Sequence, residues 1–144
     1  LSRRTEEVGR FDFSGMAYSN LIGDHILVLK DRLYVIGQGK LSGLSRFKLD
    51  EKRRPLEKPE WNNREVSTNR FHYTAAVLSG DRIYLAGHRR QGASPFLHIH
   101  SAKDGSLFKK VILPAIPTRD GVSIAGGRLF VSCEDGRLLC YGAE

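Results

Sequence analysis

A four-residue signature (a turn residue, then arginine, an aliphatic and an aromatic) occurs three times in this chain and constrains its fold more than any other feature. Asp31-Arg32-Leu33-Tyr34, Asp81-Arg82-Ile83-Tyr84 and Gly127-Arg128-Leu129-Phe130 mark the same point in three near-copies of one unit. Leu33 and Ile83 stand 50 residues apart, and Ile83 and Leu129 stand 46 apart. That period is too long for hexapeptide solenoids or the short leucine-rich repeat, and it matches a unit of about four short strands.

Each copy starts with an apolar run, crosses a polar turn and enters a second apolar run. His25–Leu29 leads through Lys30-Asp31 to Arg32–Ile36. Tyr73–Leu78 leads through Gly80-Asp81 to Arg82–Ala86, and Val122–Ala125 leads through Gly126-Gly127 to Arg128–Val131. The runs are short, rich in Leu, Ile, Val and aromatics, and joined by turn pairs that suit antiparallel strands. A third strand is expected in each unit at Leu44–Leu49, Phe96–His100 and Arg137–Tyr141. Being more polar than the first two, it should lie further out. Ser106–Leu113 is a fourth strand for the second unit, ended by Pro114. The first unit offers only the charged run Glu51–Pro55 leading to Trp61, and for the missing fourth strand of the third unit Arg10–Phe13 is the one local candidate. Gly37-Gln38-Gly39-Lys40 has no helix after it and should serve as a turn between strands, not a phosphate loop.

Repeated four-stranded antiparallel units of this size describe a β-propeller. The expected fold is all-β: a partial propeller of about three antiparallel blades, a fragment of a larger ring, with almost no helix. The boundaries read as an N-terminal segment over 1–24, one blade with a basic connector over 25–70, a second over 71–117, and a third over 118–144 lacking its outer strand. Tyr34, Tyr84 and Phe130 should fill the gap between neighbouring sheets, with Leu33, Ile83 and Leu129 in the core and Arg32, Arg82 and Arg128 opening the second strands. Three blades do not close a ring, so the remaining blades would come from a parent chain or from another copy. Blades bury their apolar faces only against neighbours, so uncapped ends should favour self-association.

Lysine and arginine outnumber the acids by 23 to 16, a net charge of +7. The excess gathers between Arg46 and Arg70, at His88-Arg89-Arg90 and at Lys109-Lys110. A charge of this size bears on adhesion more than on fold. Nucleic-acid surfaces interleave basic groups with exposed stacking aromatics, and most aromatics here fall at strand positions, which argues against a nucleic-acid partner. Trp61, near Arg64, is the exception, and after a proline-containing link it reads first as a packing anchor. No apolar stretch approaches the ~20 residues that cross a bilayer as a helix.

The two cysteines, Cys133 and Cys140, fall on either side of Asp135-Gly136. A two-residue turn there would pair Cys133 with Leu138 and set the sulfurs diagonally on one face, giving two buried free thiols. An extra turn residue would reopen the question of a disulfide. His98 and His100 share a strand face roughly 6.5–7 Å apart. They are the only candidate metal pair, and they lack a third ligand at useful spacing, so no metal site is assigned. His88 belongs with the arginine-rich loop, and His25 and His72 stand where apolar runs begin. No nucleophile elbow, phosphate loop or zinc-protease helix is present in the sequence.

Gly126-Gly127-Arg128-Leu129-Phe130-Val131-Ser132 followed by Asp135-Gly136-Arg137-Leu138-Leu139-Cys140-Tyr141 resembles the blades of the quinoprotein-like (PQQ-like, WD40-like) β-propeller repeat family. Ser101-Ala102-Lys103-Asp104-Gly105 resembles that family's turn before the outer strand, with Phe108 where a tryptophan is usual. Asp120–Ala125 is similar to the start of a terminal blade in large bacterial members, so the likeness points to the C-terminal blades of a larger bacterial protein. The resemblance implies a rigid binding platform with a periplasmic, envelope or extracellular setting. It does not carry over a cofactor: the calcium ligands and catalytic aspartate of the dehydrogenases in this group have no match here. The expected function is a non-catalytic scaffold for a protein or glycan partner, met by loops His88–Ser94 and Arg53–Asn63. Arg89, Arg90, Arg53, Arg54 and Trp61 are the candidate contact residues. The alternative is part of a quinone-dependent alcohol or sugar dehydrogenase whose catalytic residues lie outside these 144 residues.

Overall fold

The computed structural model describes residues 23–37, 42–56 and 58–142. Arg10–Phe13 and Gln38–Lys40 lie outside the described residues. The chain is all-β, with three antiparallel sheets and, among the described residues, no helix. It divides into two compact units, residues 1–68 and 69–144.

The first unit holds one sheet of four strands in sequence order: β1 (Gly23–Leu29), β2 (Arg32–Gly37), β3 (Gly43–Lys48) and β4 (Trp61–Asn63). Leu33, Val35 and Phe47, joined by Leu49, form a core cluster on one face. Leu27, Tyr34, Ile36 and Leu44, at alternate positions, are buried as well. Burial on both faces explains why β1 and β2 read as nearly continuous apolar runs.

The second unit holds two sheets. One runs β5 (Phe71–Ser79), β6 (Arg82–Arg89), β7 (Pro95–Ser101) and β8 (Leu107–Ile112); the other runs β11 (Leu138–Tyr141), β10 (Arg128–Cys133) and β9 (Pro117–Ala125). β5 lies along β9. Between the sheets Ala75, Val77, Ala86 and Leu97 pack with Val122, Leu129, Val131 and Cys133 in one apolar cluster.

The repeated signature occupies the same register in all three sheets. Leu29 pairs with Arg32, Ser79 with Arg82, and Ala125 with Arg128, so each first hairpin turns on two residues. The first turn residue has positive φ each time: Lys30 at 54°, Gly80 at 60° and Gly126 at 56°. Such turns match the right-handed twist of the flanking strands, which selects them for short hairpins. The tie to the third strand repeats too. The carbonyl of Asp31 accepts from the Leu49 amide at 2.8 Å, and that of Asp81 accepts from the Ala102 amide at 2.7 Å.

The third strands lie further out than the first two in each sheet, as expected, and β8 continues beyond β7 as the exposed outer strand of the second, although Phe96 and Leu97 on β7 are buried. The fourth strand of the first sheet is Trp61–Asn63, too short to show a period in sequence. Tyr84 packs on the core shared by two sheets, whereas Tyr34 meets Trp61 of its own sheet, with ring centroids 6.3 Å apart.

Candidate functional site

The arginines of the β6–β7 hairpin gather at one end of the second unit's four-stranded sheet. Phe71, half-buried on β5, stands directly opposite Arg89 on β6. The guanidinium of Arg89 lies 5.9 Å from the Phe71 ring centroid and that of Arg70 lies 5.4 Å from it. Arg90 is held beside them by its amide, which donates to the Arg70 carbonyl at 3.0 Å. All three arginines are exposed. Next along the ladder His72 faces His88, centroids 5.3 Å apart. His88 is thus a strand residue and not part of the loop. The loop proper, Arg90–Ser94, contains Gly92 and Ala93 at positive φ.

Phe71 is fixed from below by aromatic packing. Phe96 meets it edge-on at 5.2 Å, and the His98 ring stacks on Phe96 at 4.1 Å. The rings hold Phe71 in place, so the two cations above it are presented on a rigid base. Cation–π contact orients a guanidinium without consuming its N–H donors. Planar forks of this kind suit carboxylates, which they engage through paired hydrogen bonds.

The other proposed contact residues have structural tasks. Asp50 Oδ1 accepts from the amides of Lys52 and Arg54 at 2.9 and 2.8 Å, and Arg54 Nε contacts Asp50 Oδ2 at 3.1 Å. The Arg54 amide bond, with the guanidinium beside it, holds the Asp50 carboxyl below its usual range. Arg53, at φ 61°, donates from Nη2 to the Lys30 carbonyl at 3.3 Å. Trp61 is half-buried against Tyr34, with the Arg46 guanidinium 5.9 Å from its ring. Glu60 Oε1 forms ion pairs with Arg32, whose Nε lies at 2.5 Å, and with Arg46, whose Nε lies at 3.1 Å. Nothing in sequence spacing tied Glu60 to those two arginines, because the link runs through strand pairing. Arg53, Arg54 and Trp61 belong to the first unit, and Arg89 and Arg90 to the second.

His98 and His100 do share a face, opposite Leu85 and Ile83 on β6. They are not a pair on an exposed outer strand. His100 is buried, with Nδ1 3.0 Å from the Gly105 carbonyl, and His98 is packed on Phe96. Burial, with the positive charge of His100 and Lys110 nearby, lowers the His98 pKa from 6.5 to about 4. Among the described residues no three His, Cys, Asp or Glu side chains are grouped to hold a metal ion.

The cysteine register differs from a two-residue turn. Phe130 faces Cys140 and Ser132 faces Leu138, so Cys133 flanks a three-residue loop with Arg137, closed by Gly136 at φ 90°. The extra residue places the thiols on opposite faces. Both are free, with Cys133 buried and Cys140 exposed, where both were expected to be buried.

A second feature had no sequence signal. A cleft of about 820 Å³ opens between the two sheets of the second unit, floored by Leu97, Ile99, Val111 and Ile124 and edged by Arg82, Lys109 and Arg128.

No family model and no curated protein matches the chain. Among solved structures, the computationally designed Ika4 protein is similar in fold, with a TM-score of 0.57 over 83% of this chain at 8% sequence identity. The match spans 64% of that protein's length, and at this identity it speaks to fold alone. Among the described residues no helix is long and apolar enough to cross a membrane.

Proposed function

We propose that the chain is part of a β-propeller of the quinoprotein-like repeat type. In this reading its three sheets are blades of a larger ring, and it acts as a non-catalytic scaffold for a carboxylate-bearing partner. Support for the propeller comes from the repetition of one hairpin register in three successive sheets. The functional reading is carried by one arrangement: Arg70 and Arg89 both set over the Phe71 ring, with Arg90 tied alongside. Such a cluster binds acidic groups through charge-assisted bonds from a base that needs little ordering on binding. The favoured partner surface is therefore the β6–β7 corner, while Arg53, Arg54 and Trp61 hold the first sheet together.

Carboxylates reach such a corner from acidic peptides or from uronate glycans. Binding of a fluorescent oligoglutamate and of an oligogalacturonide to the full chain tests the reading and separates the two sources. Arg89→Glu with Arg90→Glu should weaken binding of the true class by about tenfold or more at low salt, since exposed cation–anion contacts are individually weak and screened. Equal binding by the wild type and the double variant to both probes would remove the corner as the contact surface.

A further inference from the structure

We propose that His72 and His88 together bind a divalent cation of the zinc and copper class, on the face of the second unit's four-stranded sheet opposite the arginine corner. The site does not rest on that corner. Strand pairing makes the pair, and sequence spacing does not show it. His72 on β5 stands directly opposite His88 on β6, so the two side chains leave the sheet on the same side. The rungs to either side, Phe71 with Arg89 and Tyr73 with Gly87, fix both backbones. Side chains alternate along a strand, so Phe71 and Arg89 project from the other face. The Arg70 and Arg89 guanidiniums keep to that side, 5.4 and 5.9 Å from the Phe71 ring centroid. Arg90 is exposed, where water and salt screen its charge.

Three features suit the pair to a metal. First, the spacing fits. Two imidazole nitrogens about 2.0–2.1 Å from one tetrahedral ion set their ring centroids about 5 Å apart. Those of His72 and His88 are 5.3 Å apart, with the rings tilted at 51°. Second, the His88 tautomer is set. Its Nδ1 lies 2.8 Å from the Arg89 carbonyl, which can only accept, so in the neutral ring Nδ1 carries the proton and Nε2 keeps a lone pair for a metal. A backbone carbonyl on the second ring nitrogen is the usual support of a ligating histidine. Third, an ion can reach the site, since His72 is exposed and His88 half-buried. The pair suggested by spacing on β7 is different: His100 is buried with Nδ1 at the Gly105 carbonyl, and His98 is stacked on Phe96. Two nitrogens leave two tetrahedral positions for water or an incoming carboxylate. Resident zinc sites use three or four protein ligands, so the ion here is exchangeable and not structural. Imidazole donors favour zinc and copper over magnesium and calcium.

The test uses the full chain carrying Cys140→Ser, so that the exposed thiol contributes nothing. Zinc is titrated by calorimetry, with magnesium as the hard-ion control. We expect one zinc per chain, no response to magnesium, and a melting transition that rises with zinc concentration. His72→Ala should weaken zinc binding by about tenfold or more, since even changes beyond the ligands cost metal sites about that much. His88→Ala should do the same, and His98→Phe should leave binding unchanged. Should His88→Ala fail to fold, His72→Ala decides, at an exposed position, together with broadening of the His72 and His88 ring resonances by added copper. Zinc binding that survives the loss of His72, that depends on His98, or that magnesium matches would overturn the proposal. So would a folded chain that takes up no zinc.

Discussion

Tyr73 and Phe96 meet edge to face, ring centroids 5.7 Å apart, across a β6 position that carries no side chain. That position is Gly87, paired with Tyr73 on one side and Phe96 on the other. A ring from each flanking strand leans over the glycine, covering backbone that would otherwise weaken the sheet. A Cβ at Gly87 would run into the carbonyl of His72, at the bulge between Tyr73 and Ala75.

Gly87→Ala should therefore destabilise the second unit by more than about 2 kcal/mol, because the β5 backbone at His72 and Tyr73 must shift. Gly142→Ala, where nothing lies within 4 Å, is the control and should be close to neutral. Urea melts of the two variants check the contrast.

Lys30 occupies the turn position that Gly80 and Gly126 fill in the other hairpins, at φ 54°. An L-residue with a side chain is strained there, and glycine is not. Lys30→Gly should raise stability by about 0.5–1 kcal/mol, the relieved strain exceeding the added freedom of the unfolded chain. An unchanged or lower denaturation midpoint would contradict this.

His98 should make the fold sensitive to mild acid. Its pKa is about 4 when folded against 6.5 ordinarily, so the unfolded chain takes up its proton first as pH falls. Stability from this group is complete above about pH 6.5, declines between 6.5 and 4, and is constant below. The loss should reach about 1–2 kcal/mol, less than the full shift implies, because the half-exposed ring is partly screened. His98→Phe, stacking on Phe96, should flatten the stability profile in that window. The lowered carboxyls of Asp31, Asp50, Asp104 and Asp135 act only at lower pH.

The two thiols should react at different rates. Burial, with the Asp135 charge, raises the Cys133 pKa, while Cys140 is exposed on the opposite face. A native thiol titration should give one fast equivalent, which Cys140→Ser removes, and a second only on denaturation. Two fast equivalents would show that Cys133 is accessible.

Trp61→Ala should cost about 2 kcal/mol of stability, through loss of the Tyr34 and Arg46 contacts, because its ring is only half-buried. Binding of either oligoanion by the folded variant should be unchanged, as Trp61 lies in the first sheet's packing.

Local chemistry alone determined the three hairpins. A turn pair between two apolar runs leaves the backbone one short path home, and the recurrence of arginine, aliphatic and aromatic marks one register in all three. Short apolar runs bounded by turn residues likewise located ten of the eleven strands among the described residues, because a buried pleated surface selects apolar, β-branched and aromatic side chains. Other features were decided only by tertiary structure. Trp61–Asn63 is a strand because β3 offers it an edge, and Glu60 bridges Arg32 and Arg46 because strand pairing brings distant positions together. Arg89 gained a shared base with Arg70 through Phe71 and Arg90 a backbone bond to Arg70, whereas Arg53 and Arg54 lie in a turn. The cleft is lined by residues of both sheets of the second unit. These outcomes rest on which edge is open and which face is covered, quantities set by neighbours far along the chain, and a sequence pattern records only what each residue needs, not which partner supplies it.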